Sequence, residues 1–144
     1  MERYFTFDDL NNMKAAKTFS GLSIVAMRII KRMPQPVAMV SGPLSTGGLG
    51  SFKENLIVFE EAVQKLSGQG LYVFNQLPFE EHMWRIAQAP AYRGADELLE
   101  EFYLPIFESG LVKSIYFIKG WETSYGASWE HRHAERLNIE CIYL

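Results

Sequence analysis

Apolar residues follow two patterns along the chain, a helical spacing of three or four residues and short continuous runs typical of buried strands. The helical pattern predicts helices over residues 6–33, 51–68, 96–109 and 124–137, the first being one helix or two that meet at Ser20–Gly21. We expect Pro105 to kink or interrupt the third. Strands are predicted over residues 37–40, 71–74, 114–118 and 140–144. Because helices and strands alternate, we expect a parallel sheet with right-handed crossovers.

This order predicts a single α/β domain over residues 1–144, a flavodoxin-like or Rossmann-like three-layer sandwich with a parallel sheet of about four strands. Residues 36–144 are expected to form the α/β core and residues 1–35 an N-terminal helical extension. The expected strand order is 2-1-3-4, which reverses between the first and third strands. Sheets of this kind bind small ligands at such a reversal, outside the carboxyl ends of the strands. We therefore expect the site between the loops 41–50 and 119–125.

Composition excludes several classes of function. The 144 residues are 48% apolar and 22% charged, as in an ordinary soluble domain, and the formal net charge is −3. A chain with this charge has no excess of positive charge with which to bind a nucleic acid polymer or an anionic membrane. The three histidines and the single cysteine are scattered along the sequence, so we expect no metal site and no cofactor.

The expected compartment is the cytoplasm. The lone Cys141 excludes an intramolecular disulfide and fits a reducing environment. The first residues are charged where a secretory signal needs an apolar core. The longest apolar-rich stretch, Leu22 to Ile30, is too short to span a bilayer and contains Arg28.

The loop and helix after the third predicted strand hold the sharpest candidate chemistry. If Ser124 caps this helix, Ala127, Glu130, Ala134 and Leu137 share one face. The position of a carboxylate among small and apolar residues requires an explanation, because burying a carboxylate without a partner is unfavourable. Glu130 is therefore a candidate nucleophile that could attack an anomeric carbon and hold a sugar as a covalent ester. A solvated helix carboxylate is the alternative.

Other candidates lie in three neighbouring segments. The first predicted strand is followed by Gly42, Pro43, Leu44 and Ser45, in a glycine-rich loop that suits a phosphate or sugar hydroxyl, or is simply a mobile turn. Glu122, beside Gly120 and Trp121, could orient a ribose hydroxyl or be solvated. The long segment 79–94 carries aromatic and polar side chains that could stack on a base or cover the core, namely His82, Trp84, Tyr92 and Arg93.

These motifs resemble the nucleoside 2-deoxyribosyltransferase-like superfamily over about residues 37–144. The resemblance lies in Gly42-Pro43, in Asn55, in Asn75-x-x-Pro78 and in Gly120-Trp121-Glu122-x-Ser124-x-Gly126-Ala127-x-x-Glu130. It is strongest to small uncharacterised members that have a Gly-Trp-Glu-x-Ser-x-Gly-Ala motif. The resemblance implies that Glu130 is the nucleophile that displaces the base from C1′ of a deoxyribose. It also implies that Gly42, Pro43, Ser124 and Gly126 line the sugar or phosphate pocket.

The chain departs from the family pattern at three positions. The transferases have an aspartate at the position of Ser124, whereas related deoxynucleotide N-hydrolases have a serine there. Acidic residues before the third strand are replaced within 103–105 and 111–113. The Gly-Gly-x-Gly-Thr loop of the similar phosphoribohydrolases is missing after the third strand, which disfavours that activity.

The leading hypothesis is an N-glycosidase or 2-deoxyribosyltransferase that acts on a nucleoside or nucleotide. The alternative is a nucleotide-derivative binding module that keeps the pocket without turnover. The apolar stripe of residues 6–33 is too long to remain in water, so it is expected to pack on its own sheet or across a subunit interface. The resemblance implies a site completed by a neighbouring subunit, and we expect a homodimer or larger oligomer.

Overall fold

A computed structural model describes residues 3–144 and has an α/β fold with a four-stranded parallel sheet. The strands are β1 (Val37–Ser41), β2 (Tyr72–Val73), β3 (Val112–Phe117) and β4 (Glu140–Tyr143). Their order is β2-β1-β3-β4, and each neighbouring pair is parallel. The predicted fold class and strand order are therefore confirmed.

The helices are α1 (Phe7–Ala15), α2 (Phe19–Arg32), α3 (Phe52–Gly68), α4 (Glu80–Ala87), α5 (Ala95–Leu98), α6 (Leu104–Glu108) and α7 (Tyr125–Arg136). A π-helical turn (Leu99–Tyr103) joins α5 to α6, and short 3₁₀ turns occur at Leu77–Phe79 and Trp121–Thr123. Pro105 lies in the first turn of α6, where a missing N–H is tolerated. The π turn ends two residues before Pro105 and interrupts the α-helix there, as the proline predicts.

Two hydrophobic clusters lie on opposite faces of the sheet. The smaller cluster includes Val40, Phe59, Val73 and Ile118, and it is covered by α3. The larger cluster contains residues of α1, α2, α4, the π turn, α6 and α7. Side chains in a strand alternate between the faces, so Val37 and Met39 of β1 join the larger cluster.

The N-terminal stripe is buried within its own chain. Leu22, Val25, Ala26, Ile29 and Ile30 of α2 are all in the larger cluster. The chain therefore covers the surface that suggested an oligomer, and that argument for a dimer no longer applies. The oligomeric state stays a prediction.

The break between the first two helices differs from the expected one at Ser20–Gly21. Thr18 caps α2 by accepting a hydrogen bond of 3.0 Å from the backbone N–H of Gly21, so this glycine lies inside the helix. Thr6 and Asp9 form a reciprocal capping box at the start of α1. Arg32 pairs with the buried Asp9 and ties α1 to the end of α2.

Candidate functional site

Helix α7 presents Glu130 to the interior as the residue spacing predicted. Ser124 caps the helix, since its Oγ accepts a hydrogen bond of 3.2 Å from the backbone N–H of Ala127. Ala127, Glu130 and Ala134 are all buried, and Glu130 is only 6% exposed. The predicted face is therefore confirmed for these three residues, and the carboxyl group on it is removed from water. Leu137, the fourth predicted member, follows the last residue of α7 and is only partly buried against the larger cluster.

Glu130 lies in a cavity of about 190 Å³ at the carboxyl end of the sheet, where the strand order reverses. The walls come from the loop after β1, from α4, from the segment that ends in the π turn and from the start of α7. The lining residues are Gly42, Leu44, Ser45, Thr46, Glu80, Met83, Tyr92, Ala95, Leu98, Leu99, Tyr103, Ser124, Tyr125, Gly126, Ala127 and Glu130. None of these side chains is a lysine, arginine or histidine, so acidic groups dominate the charge of the cavity.

The structure brings six of the predicted site residues to this cavity, namely Gly42, Leu44, Ser45, Ser124, Gly126 and Glu130. Pro43 and Gly120 line a separate depression beside α3. Asn75 lies with Pro78 and residues of α3 in another depression, so it does not line the cavity of Glu130.

Trp121 and Glu122 face a different part of the surface, near the end of β4. The Trp121 ring stacks on His131, with ring centroids 4.2 Å apart. The hydroxyl of Tyr143 lies 2.6 Å from Nε2 of the same histidine. This aromatic cluster holds Trp121 at the sheet edge, and Glu122 lies beside it, so neither residue lines the cavity of Glu130.

The carboxyl group of Glu130 is held in an environment that opposes its ionisation. Burial raises its pKa from 4.5 to about 8, and the charge of Glu80 acts in the same direction. The nearby Ser41 hydroxyl lowers the pKa, although Ser41 Oγ and Glu130 Oε1 have no hydrogen bond of ordinary geometry. Near neutral pH the carboxyl group is therefore mainly protonated.

Glu80 is the second acidic group of the cavity and was not predicted from the sequence. It is the first residue of α4, and burial raises its pKa from 4.5 to about 7. A signal was present, because Glu80 lies three residues before the buried Met83 at helical spacing. The reasoning that selected Glu130 selects Glu80 as well, once a helix is recognised at the start of the segment 79–94.

Tyr103 was also missed as a cavity residue. It ends the π turn and is buried, and its pKa is raised well above 10 by burial and by the charges of Glu80 and Glu130. Turns of this type occur mostly as single-turn bulges in helices, frequently at functional sites. The phenol therefore stays neutral beside the two carboxyl groups, and the side chain of Gln76 hydrogen-bonds to it.

The glycine-rich loop after β1 is held in place by polar side chains. Asn55 of α3 accepts a hydrogen bond of 2.9 Å from the Leu49 N–H and donates to the carbonyls of Leu44 and Gly47. Thr123 accepts a hydrogen bond of 2.7 Å from the Gly48 N–H. A side chain at Gly47 would place its Cβ 2.3 Å from the carbonyl oxygen of Thr123, and the residue has φ +69°. These contacts fix the conformation of the loop that forms one wall of the cavity.

The segment 79–94 contributes Glu80, Met83 and Tyr92 to the cavity. Trp84 is 71% exposed and lies away from the cavity, and Arg93 pairs with acidic side chains on the surface. His82 is buried beside Arg85, to which its ring nitrogen lies 3.4 Å away. The aromatic residue of this segment that reaches the cavity is therefore Tyr92.

One hydrogen bond joins the two sides of the cavity at its mouth. The Tyr125 hydroxyl donates to Oδ1 of Asp96 over 2.5 Å, linking the start of α7 to α5. Tyr125 is exposed, so the bond lies at the surface.

Comparisons with protein-family models, with curated proteins and with solved structures give no match to this chain. Within residues 3–144 no group of three or more histidine, cysteine, aspartate or glutamate side chains is placed to share a metal ion. Over the same residues no helix is both long and apolar enough to cross a bilayer. The case for function therefore rests on the chemistry of the cavity.

Proposed function

We propose that this protein is an N-glycosidase or 2-deoxyribosyltransferase that acts on a nucleoside or nucleotide, with Glu130 as nucleophile and Glu80 as general acid. The observation that carries the proposal is that two carboxyl groups line one cavity at the reversal of the strand order, both with raised pKa values. Pairs of titratable groups in one site are typical of acid–base catalysis. Hydrolysis of a glycosidic bond needs two such groups.

In the first half of the proposed reaction, the Glu130 carboxylate attacks C1′ of the sugar. A C–O bond forms, the C–N bond to the base breaks, and its electron pair moves to the base nitrogen. Glu80 gives its proton to the departing base, which leaves as a neutral molecule. The product is a glycosyl ester on Glu130 with Glu80 ionised.

In the second half, Glu80 acts as a base. It takes a proton from water, or from a second nucleobase, as that nucleophile attacks C1′ and releases Glu130 as a carboxylate. The pKa of Glu80, raised to about 7, suits a group that gives a proton in one step and takes one in the next.

The dimensions of the cavity support a sugar beside Glu130 and a base nearer the mouth. Its volume of about 190 Å³ is below the ~300–1,000 Å³ of ordinary small-molecule pockets. A deoxyribose fits such a volume, and the attached base would extend toward Tyr92 and Tyr125, which also line it. Ring faces of this kind stack on bases.

A binding module without turnover is the second candidate function. It is favoured by the deep burial of Glu130, which holds the carboxyl group mainly in its neutral form near neutral pH. A neutral carboxyl group binds a ligand through hydrogen bonds but is a poor nucleophile.

Incubation of the purified protein with a panel of nucleosides and nucleotides distinguishes the two functions. The proposed enzyme releases free base, or exchanges it when a second base is added. The binding module shows a ligand-dependent rise in melting temperature without any released base.

A further inference from the structure

The last residue of β1, Ser41, lies close enough to Glu130 for its hydroxyl to lower the pKa of the carboxyl group. Alternation along the strand puts its side chain on the face of Val37 and Met39, which is the face that α7 covers. Ser41 is 1% exposed. Its Oγ and the Oε1 atom of Glu130 are both buried, and neither has a hydrogen-bond partner of ordinary geometry.

Two unpartnered polar atoms side by side in a core require an explanation. Nearly all buried polar groups in native proteins are paired, and leaving one unpaired is unfavourable. Ser23 shows the ordinary arrangement in this chain, since its buried hydroxyl donates to the carbonyl oxygen of Phe102 over 2.7 Å. The Ser41 hydroxyl has no such acceptor and can turn to Glu130.

We propose that Ser41 is a positioning residue whose hydroxyl donates a hydrogen bond to Glu130 Oε1 and stabilises the carboxylate that the reaction requires. The inference rests on the function proposed above, because only a nucleophilic role requires Glu130 to be ionised. Hydrogen bonds at catalytic groups are often long or misaligned in empty sites and tighten with substrate. The open geometry between these two atoms fits that behaviour.

Among the groups that affect the Glu130 pKa, Ser41 is the one that favours ionisation of the carboxyl group. Glu80 approaches from α4 and raises the pKa of Glu130 by its charge, while Tyr103 approaches from the π turn with a phenol of raised pKa. Burial opposes ionisation most strongly. Ser41 is the group whose effect on the Glu130 pKa runs the other way. Protonation of Glu80 removes its repulsion of the Glu130 carboxylate. The hydrogen bond from Ser41 then stabilises the negative charge on Glu130.

The test is a titration of Glu130 in the full chain by carbon NMR of glutamate labelled at the carboxyl carbon. Wild type is compared with Ser41→Ala and Ser41→Cys, and Glu130→Gln assigns the signal. Cysteine matches the shape of serine and is a weak donor. Ser23→Ala is the control, since it removes a buried hydroxyl that does not touch Glu130. Melting temperatures establish that each variant is folded.

The expected result is a rise of about one pH unit or more in the Glu130 midpoint in Ser41→Ala, a smaller rise in Ser41→Cys and none in Ser23→Ala. The acid limb of kcat/KM for base release should move to higher pH in the same order. An unchanged Glu130 midpoint in folded Ser41→Ala overturns the role of Ser41. If the midpoint moves but wild type releases no base, the role of Ser41 stands and the proposed function fails.

Discussion

Glu80 and Glu130 line the same cavity from helices α4 and α7, and the charge of Glu80 raises the pKa of Glu130. The two residues are 50 positions apart in the sequence, and the crossover from β2 to β3 brings them together. Two like charges in a buried space oppose each other, so ionisation of Glu80 raises the pKa of Glu130. The proposed reaction requires the opposite distribution, with the proton on Glu80 and the negative charge on Glu130.

The role of Glu80 as general acid predicts a dependence on the leaving group. Glu80→Gln should slow base release from ordinary nucleosides by about 100-fold or more, because the departing base is no longer protonated. Nucleosides of N7-methylated purines carry a cationic base that leaves without a proton, so their release should change little. Initial rates on both substrates give the comparison.

Glu81→Gln is the matched control, since Glu81 is the next residue of α4 and its side chain is exposed. This variant should behave as wild type on both substrates. An equal loss on both substrates in Glu80→Gln would show that Glu80 does not act as an acid.

The raised pKa of Glu130 predicts how stability depends on pH. Between the unfolded value of 4.5 and the folded value of about 8, the folded protein binds more protons at this residue, so its contribution falls as pH rises through this window. Glu130→Gln has no such titration. The free energy of unfolding of the variant, relative to wild type, should therefore increase from pH 5 to pH 8.5 by a few kcal/mol, at about 1.4 kcal/mol per pKa unit.

Urea unfolding of both proteins at the two pH values measures this difference. Comparing variant and wild type cancels the titrations of other groups, such as His82 and His133, whose pKa values are lowered mainly by burial. A difference that is the same at pH 5 and pH 8.5 would mean that Glu130 is not held in its neutral form.

Asn55 is predicted to matter because it holds the loop that forms one wall of the cavity. Asn55→Ala removes hydrogen bonds to Leu44, Gly47 and Leu49, and should reduce the free energy of unfolding by about 1–3 kcal/mol. A loosened loop should also lower kcat/KM for base release by about tenfold through poorer positioning. Asn11→Ala, at an exposed position of α1, should change neither quantity.

Thermal unfolding and initial-rate kinetics of the two asparagine variants test this prediction. A loss of stability in Asn55→Ala without any change in kcat/KM would separate the loop from the function of the cavity.

The sheet and the buried face of α7 were predictable because short apolar runs and helical spacing are local signals. Ala127, Glu130 and Ala134 lie on one face as soon as Ser124 is recognised as the cap. The reversal of strand order then predicted a site at the loop after β1, and this loop lines the cavity of Glu130. These predictions needed no knowledge of how distant helices pack.

Other features of the site depend on packing between distant segments. Tyr103 reaches the cavity through a π turn. Pro105 predicts an interruption of the helix near this point, but not that it takes the form of a π turn or that Tyr103 faces the cavity. Trp121 follows β3 as expected, but its contact with His131 turns it to the edge of the sheet. Asn75 follows β2 and lies with α3, on the sheet face opposite to the larger hydrophobic cluster.

The central claim is that Glu130 is a nucleophile. Its most direct test is base release by wild type and by Glu130→Gln, with the melting temperature of each protein measured in parallel. Glu135→Gln, which changes an exposed carboxylate of the same helix, is the control. Glu130→Gln should stay folded and lose base release by about 100-fold or more, because an amide cannot replace the carboxylate, while Glu135→Gln should retain it. Base release by Glu130→Gln at close to the wild-type rate would show that Glu130 is not the nucleophile.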